Sequence, residues 1–275
     1  MILTSITKYT PVILTFLHLL SSFVNSASEI NSQKELVENL KKHGVVTSVD
    51  IARVMSDVDR KFFIHENPYA YRSHKISHGG TISAPQVDGH ILEGLRPGLT
   101  KGARVLCVGC TGGYLLACMS ILVESMGIVT GVENNVHLTK LNIQNLKNWL
   151  AVSETVQTLK IALERNFGFL TTSKPGEQMA RKDYSAIFLK GDDKSAIEWL
   201  KGRLKTGGHL IYSRESEDGY VELIRVICMK PGKFDEAVSA RIPLVLPAKE
   251  EEKPTEEEKP TEEEKPTEEE SSIDL

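Results

Sequence analysis

An apolar run that ends in glycines constrains this chain more than any other feature. Arg104-Val-Leu-Cys-Val-Gly-Cys-Thr-Gly-Gly-Tyr114 passes from a hydrophobic stretch into a turn. About twenty residues further on, the spacing expected of a nucleotide-binding unit, Ile128-Val-Thr-Gly-Val-Glu133 repeats the apolar run and closes on an acid. Glycines let a backbone approach a ligand closely, and an acid at the end of the second strand can accept hydrogen bonds from both hydroxyls of a ribose. Gly109, Gly113 and Glu133 are therefore the candidate cofactor-binding residues. The plainer alternatives are that the glycines only form a tight turn and that Glu133 caps the following helix.

The surrounding pattern alternates strand and helix. Ser32-Gln-Lys-Glu35 reads as a capping box before Leu36, Val37 and Leu40, and Ser48 as the cap of a second helix carrying Ile51, Val54 and Met55. A long connection rich in His, Tyr, Ser and Gly runs from Phe62 to Pro85, followed by a helix over Val87–Leu95. Strands are then expected at Ala103–Val108, Ile128–Val132, Val156–Ile161, Tyr184–Leu189 and His209–Tyr212. The helices between them cover Gly113–Met126, Val136–Leu150 and Lys194–Leu204, the last stopped by Gly207-Gly208. Leu223–Met229 and Arg241–Leu246 form a closing pair. Alternation of this kind predicts an α/β fold with a doubly wound, mostly parallel sheet, which binds ligands beyond the carboxyl ends of its strands.

Both ends differ from the middle. A short polar start with Lys8, an apolar stretch Val12–Leu20 and the small residues around Ser26-Ala27 predict a signal peptide over residues 1–27. The destination is then the secretory pathway, the ER lumen or the exterior; a buried N-terminal helix in a cytoplasmic protein is the alternative. The apolar stretch is too short to span a bilayer comfortably, so no membrane segment is expected in the mature chain. Residues 28–247 make the folded domain. Residues 248–275 repeat Lys-Pro-Thr-Glu-Glu-Glu three times and carry four lysines against thirteen acids, a net of −9, which leaves +5 on the rest of a chain whose total is −4. A segment with prolines and almost no apolar side chains cannot offset its ordering entropy, so an extended, disordered acidic tail is expected. No Lys/Arg block or basic-aromatic stripe suggests nucleic acid.

Four cysteines, at 107, 110, 118 and 228, are too few for a disulfide framework. Cys107 and Cys110 form a C-x-x-C, but the first ends a hydrophobic strand, so a buried small side chain plus a turn residue is the leading reading and thiol redox chemistry the lesser one. The eight histidines show no ligand spacing with cysteine or acid, and no metal site is expected. His74 and His78 lie in the connection before Ser83.

Taken in order along the chain, several segments resemble one family, the protein-L-isoaspartate (D-aspartate) O-methyltransferases. They are Val58-Asp-Arg60 with Phe62, Asn67-Pro-Tyr69, Thr81-Ile-Ser-Ala-Pro85, the glycine turn, Tyr184-Ser-Ala-Ile187, Leu204-Lys-Thr-Gly-Gly208 and Ile242-Pro-Leu244. The resemblance spans roughly Leu36 to Leu246. It implies a Rossmann-like S-adenosylmethionine-dependent methyltransferase fold and transfer of a methyl group to the α-carboxyl of L-isoaspartyl or D-aspartyl residues in damaged proteins. The implied partners are isoaspartyl-containing proteins or peptides, met by a monomer. In this reading Ser83 orients the substrate carboxylate, Glu133 holds the ribose, and the Gly109–Gly113 backbone faces the methionine and adenosine parts.

The chain also departs from the family pattern. Cys107 stands where the family has an acid and Thr111 where it has glycine, a position expected either to bring the backbone close to the ligand or to need positive φ. Gln86 replaces a histidine, Leu163 an acid that meets the adenine, and Lys190-Gly-Asp-Asp193 a run of small residues. These changes keep open a second reading, a catalytically impaired descendant acting as a binding protein.

Overall fold

A computed structural model describes residues 30–152, 167–171, 183–216 and 218–243. The expected leader, the strand expected at 156–161, Leu163 and the acidic tail lie outside the described residues.

Two helices open the domain, α1 (Gln33–Lys42) and α2 (Val49–Asp57). The Ser32 hydroxyl accepts the Glu35 N–H at 3.2 Å, and the Glu35 carboxylate accepts the Asn31 N–H at 2.9 Å. That is the expected capping box, with its return bond one residue earlier than usual. Leu36, Val37 and Leu40 face inward and are buried with Ile51, Val54 and Met55. Ser48 does not cap α2. Its hydroxyl instead donates to one carboxylate oxygen of Glu93, on α3 (Pro85–Leu95), at 2.6 Å, and the other oxygen accepts the Thr47 and Ser48 N–H groups at 2.7 Å each. Those donors precede the helix, so Glu93 ties the start of α2 to α3 without capping it.

The long connection is ordered. It holds a two-stranded ribbon, β1 (His74–Lys75) against β2 (Thr81–Ile82), with His74 opposite Ile82. The main sheet has seven strands: β3 (Arg104–Val108), β4 (Ile128–Glu133), β5 (Phe167–Thr171), β6 (Tyr184–Lys190), β7 (Leu204–Glu215), β8 (Tyr220–Lys230) and β9 (Lys233–Pro243). Their order is β5-β4-β3-β6-β7-β8-β9. The first five pair in parallel, and β8 and β9 are added antiparallel, so the doubly wound, mostly parallel sheet is present as expected. From β3 the chain winds outward through β4 to β5, then returns to β6 on the other side of β3. The carboxyl ends of β3 and β6 therefore flank a topological switch point.

Side chains alternate between the two faces with period two. Val105, Cys107, Ala186 and Phe188 join the core that includes α1, α2 and α3, whereas Leu106, Ile187 and Leu189 join the opposite one with Leu210 and Tyr212. Both faces are covered, which is why β6 reads as an unbroken apolar run.

Some boundaries differ from expectation. Helix α4 (Tyr114–Val123) stops before Met126 because Glu124 leaves the helical region at φ 55°. Helix α5 covers Val136–Val152. Helix α6 (Lys194–Lys201) stops short of Leu204, and Gly207-Gly208 lie inside β7, where its register against β6 shifts. The outer parallel strand beside β4 is β5.

Candidate active site at the sheet switch point

The glycine turn fills the switch point, and α5 clamps it. The Gly109 N–H donates to Val132 O at 2.8 Å, which ties the turn to β4. Asn142 accepts the Gly112 N–H at 2.7 Å, Asn145 donates to Gly112 O at 2.9 Å, and Asn142 also donates to Glu133 Oε1 at 3.3 Å. Both asparagines are buried. They stand on the helix face that also carries Leu138, Leu146 and Trp149, so two amides interrupting an apolar stripe were a readable signal that sequence reasoning passed over. Replacing Asn142 with alanine strands the Gly112 N–H. The expected loss is about 1–3 kcal/mol, read from urea unfolding.

Left-handed backbone occurs at Gly109, Gly112 and Gly113 (φ 78°, 86° and 92°), with Gly113 as the N-cap of α4. Thr111 is not among the positive-φ residues, so the expected backbone strain there is absent. The glycines are required by protein neighbours. A Cβ at Gly112 would stand 2.4 Å from the Ile82 side chain, and one at Gly109 would stand 3.0 Å from the Lys190 Cβ. Cys107 is the fully buried side chain expected at the end of β3, and its sulfur lies against that of Cys110, the two Cα atoms being 5.7 Å apart, within the usual range for a disulfide.

Ser83 lies between β2 and α3, opposite the turn, and its position is set by a group the sequence reading did not single out. Arg60 is fully buried. Its Nη1 donates to Asp88 Oδ2 at 2.5 Å, Nη2 to Ser83 O at 2.7 Å and Nε to Pro68 O at 3.1 Å, and the guanidinium carbon stands 4.8 Å from the centre of the Tyr114 ring. Asp88 is enclosed; burial pushes its carboxyl up to about 6, with Arg60 pulling the other way. The pair fixes the Ser83 backbone, while no described residue takes the Ser83 hydroxyl in a hydrogen bond.

A cavity of about 330 Å³ opens beside Ser83, walled by Thr81, Val87, Phe188, Lys190, Ser213 and Glu215 among others. Lys190 crosses from the end of β6, its stem resting on Gly109, and its Nζ donates to Thr81 O at 2.6 Å. Burial lowers its pKa. Glu133 is buried at the carboxyl end of β4; burial raises its carboxyl, against hydrogen bonds from Asn142 and Thr111. Gln86 points away from the chemistry and donates to Tyr71 O at 3.5 Å. Neither His74 nor His78 lines this cavity: His74 is buried in β1, and His78 stacks on His137 at 4.5 Å.

Glu133 suits the hydroxyls of a nucleotide-type cofactor: its carboxylate accepts from Asn142 and Thr111 and keeps further acceptor capacity. The N–H groups of Gly109, Gly112 and Gly113 are taken by Val132 O, Asn142 Oδ1 and Cys110 O, so what the turn offers a ligand is close approach of its backbone. Between Ser83 and Gly109–Thr111 the free space is about 10 Å³, roughly that of one water. A ligand reaching from the turn to Ser83 therefore has to displace side chains that line this gap, which include Ile82, Leu115 and Phe188.

A doubly wound sheet with its glycine turn, second-strand acid and open cavity gathered at one switch point defines a Rossmann-like α/β transferase domain. Residues 31–225 match the family model described as protein-L-isoaspartate(D-aspartate) O-methyltransferase. The chain belongs to that family. It is 40% identical over 188 residues to protein-L-isoaspartate O-methyltransferase 1 of Arabidopsis thaliana, covering 68% of this chain and 79% of that protein. It is 27% identical over 224 residues to the Caenorhabditis elegans protein-L-isoaspartate O-methyltransferase, covering 81% and 95%. Among solved structures it is similar to a Plasmodium falciparum chain described as a protein-L-isoaspartate O-methyltransferase in complex with S-adenosyl-L-homocysteine. That similarity has a TM-score of 0.63 at 27% identity, over 78% of this chain and 97% of that one.

Proposed function

We propose that this chain methylates the free α-carboxylate of L-isoaspartyl or D-aspartyl residues in damaged proteins, with S-adenosylmethionine as the methyl donor. The observation that carries the proposal is that Ser83 lines both the open cavity and the narrow gap against Gly109–Thr111 at the switch point. When bound, S-adenosylmethionine supplies an electrophilic methyl group. Glu133 and the Gly109–Gly113 backbone would hold it. A carboxylate is already a nucleophile, so no strong base is needed; the protein's work is to orient it and exclude water. The Ser83 hydroxyl, unclaimed by the described residues, donates to that carboxylate, and Phe188 and Val87 keep the wall behind it apolar. Methyl ester formation lets the damaged linkage cyclise and reopen as ordinary aspartate.

Calorimetric titration of the full chain with S-adenosylhomocysteine tests the donor site, and a methyl-transfer assay on an isoaspartyl peptide tests the reaction. Saturable binding together with transfer is the expected result. No binding at millimolar ligand would overturn the proposal.

The same reading takes residues 1–27 as a leader to the secretory pathway, residues 248–275 as a solubilising tail, and the working unit as a monomer. Expression in a secreting cell is expected to yield a chain starting near Ser28, checked by intact mass; a retained Met1 argues for the cytoplasm.

A further inference from the structure

Cys107 stands where the resemblance calls for an acid, and its sulfur lies against that of Cys110, with the two Cα atoms 5.7 Å apart, a disulfide separation. Cys107 has no freedom to move. It is fully buried in the central strand β3, between Gly131 of β4 and Phe188 of β6. Cys110 stands in the turn and lines the narrow gap that faces Ser83. The turn is anchored on either side of it, at Gly109 by Val132 O and at Gly112 by Asn142 and Asn145. Between those anchors come Cys110 and Thr111. The Thr111 side chain bonds Glu133, and Cys110 is tied back to β3 through Cys107. The cross-link therefore sets the stretch of turn that runs between Glu133 and Ser83.

We infer that the Cys107–Cys110 bond is a redox switch on the methyl-donor site: closed, it holds Cys110 back from the ligand's path, and opened by a small thiol reductant, it obstructs that path. This rests on the proposed function and adds its regulation. A disulfide holds two sulfurs at bond length, about 2 Å. Two thiols stand farther apart, at van der Waals contact, and each carries an added hydrogen. Cys107 is walled in, so the Cys110 sulfur is the one displaced, into the gap it lines. The gap has only about 10 Å³ free, so this shift fills it. Cys110 is 4% exposed, which admits a small thiol and excludes the disulfide of a folded protein. A thiolate of a dithiol reductant attacks Cys110 Sγ, and the electron pair of the broken bond passes to Cys107 Sγ, which takes up a proton. The reductant's second thiolate then attacks the first of its own sulfurs and releases Cys110 Sγ, protonated in turn. The pair gains two electrons and two protons, and the dithiol loses them as it closes to a cyclic disulfide.

The full chain is purified without reductant, and its thiols are counted by alkylation in denaturant and intact mass. Two of the four cysteines are expected to resist alkylation until reduced. S-adenosylhomocysteine is then titrated into the oxidised chain and into chain reduced with dithiothreitol, for wild type and Cys110→Ser. Oxidised wild type is expected to bind about 5- to 150-fold more tightly than reduced, the usual range of coupling between two sites. By reciprocity, saturating S-adenosylhomocysteine is expected to raise, by the same factor, the ratio of reduced to oxidised dithiothreitol that opens half of the bonds. Cys110→Ser is expected to show one affinity with or without the dithiol. Equal binding by the two states of wild type overturns the inference, as does a dithiol response that persists in Cys110→Ser. So do cysteines that all alkylate without reduction and stay free in oxidised dithiothreitol. Loss of cooperative thermal unfolding on reduction overturns it as well, because the bond would then support the fold rather than the turn. Methyl transfer to an isoaspartyl peptide separates the two claims. Redox-dependent binding without transfer in either state defeats the proposed activity and leaves the switch standing. Transfer at equal rates in both states does the reverse, and no binding in either state defeats both.

Discussion

Arg60→Met is expected to cost about 3–5 kcal/mol of folding stability at neutral pH, the range for removing one partner of a buried ion pair. Methionine roughly fills the volume but leaves the Asp88 carboxylate enclosed without its cation, and it abandons the carbonyls of Ser83 and Pro68. The loss also has a pH signature. Burial already raises the folded Asp88 from its ordinary 3.8 to about 6. For an acid raised in the folded state, the stabilising contribution is fully present below the unfolded value and lost as pH rises through the folded one. Removing the cation raises the folded value further, so the deficit of the variant is expected to shrink near pH 4, where Asp88 can hold a proton, and to be full at pH 7. Urea unfolding at the two pH values checks this. Equal deficits would mean that the lost carbonyl contacts, rather than the stranded charge, dominate. The double variant Arg60→Met/Asp88→Asn is expected to recover much of the loss.

Ser83→Ala is expected to lower kcat/KM for an isoaspartyl peptide by roughly 10²-fold while leaving the melting temperature in place. The magnitude is that of deleting one hydrogen bond to a charged, positioned group. Stability is spared because the structural bond at this residue runs from Arg60 to the Ser83 carbonyl, which alanine retains. Parallel thermal melts and initial rates separate the two effects. An unchanged rate would remove the hydroxyl from the reaction, and a lowered melting point would mean that the side chain supports the fold. Binding of S-adenosylhomocysteine is expected to be unaltered.

How much of this was legible depended on whether a residue's role is set by its neighbours in sequence. The glycine turn, Glu133 and the parallel strands were readable because strand burial on two faces leaves unbroken apolar runs and the turn needs left-handed backbone. Ser48 stands at the N-cap position but makes no capping bond, because its hydroxyl donates to Glu93, 45 residues away. Positive φ was one of the two demands expected at Thr111, and the left-handed positions fall instead on the glycines around it. Asn142 and Asn145 carried a local signal, but its meaning lay in the loop they hold.

What the sequence by itself determined is the doubly wound α/β fold, the family and the segments that meet at the switch point. Periodicity and turn chemistry are local, and they survive without knowledge of partners. Only the tertiary structure decided that Arg60 and Asp88 are one buried pair holding Ser83, and that Lys190 lies over Gly109 and faces the same cavity. Those contacts join segments 23 to 109 residues apart. Their worth comes from desolvation and geometry, which exist only once the sheet has brought the ends of β3 and β6 side by side.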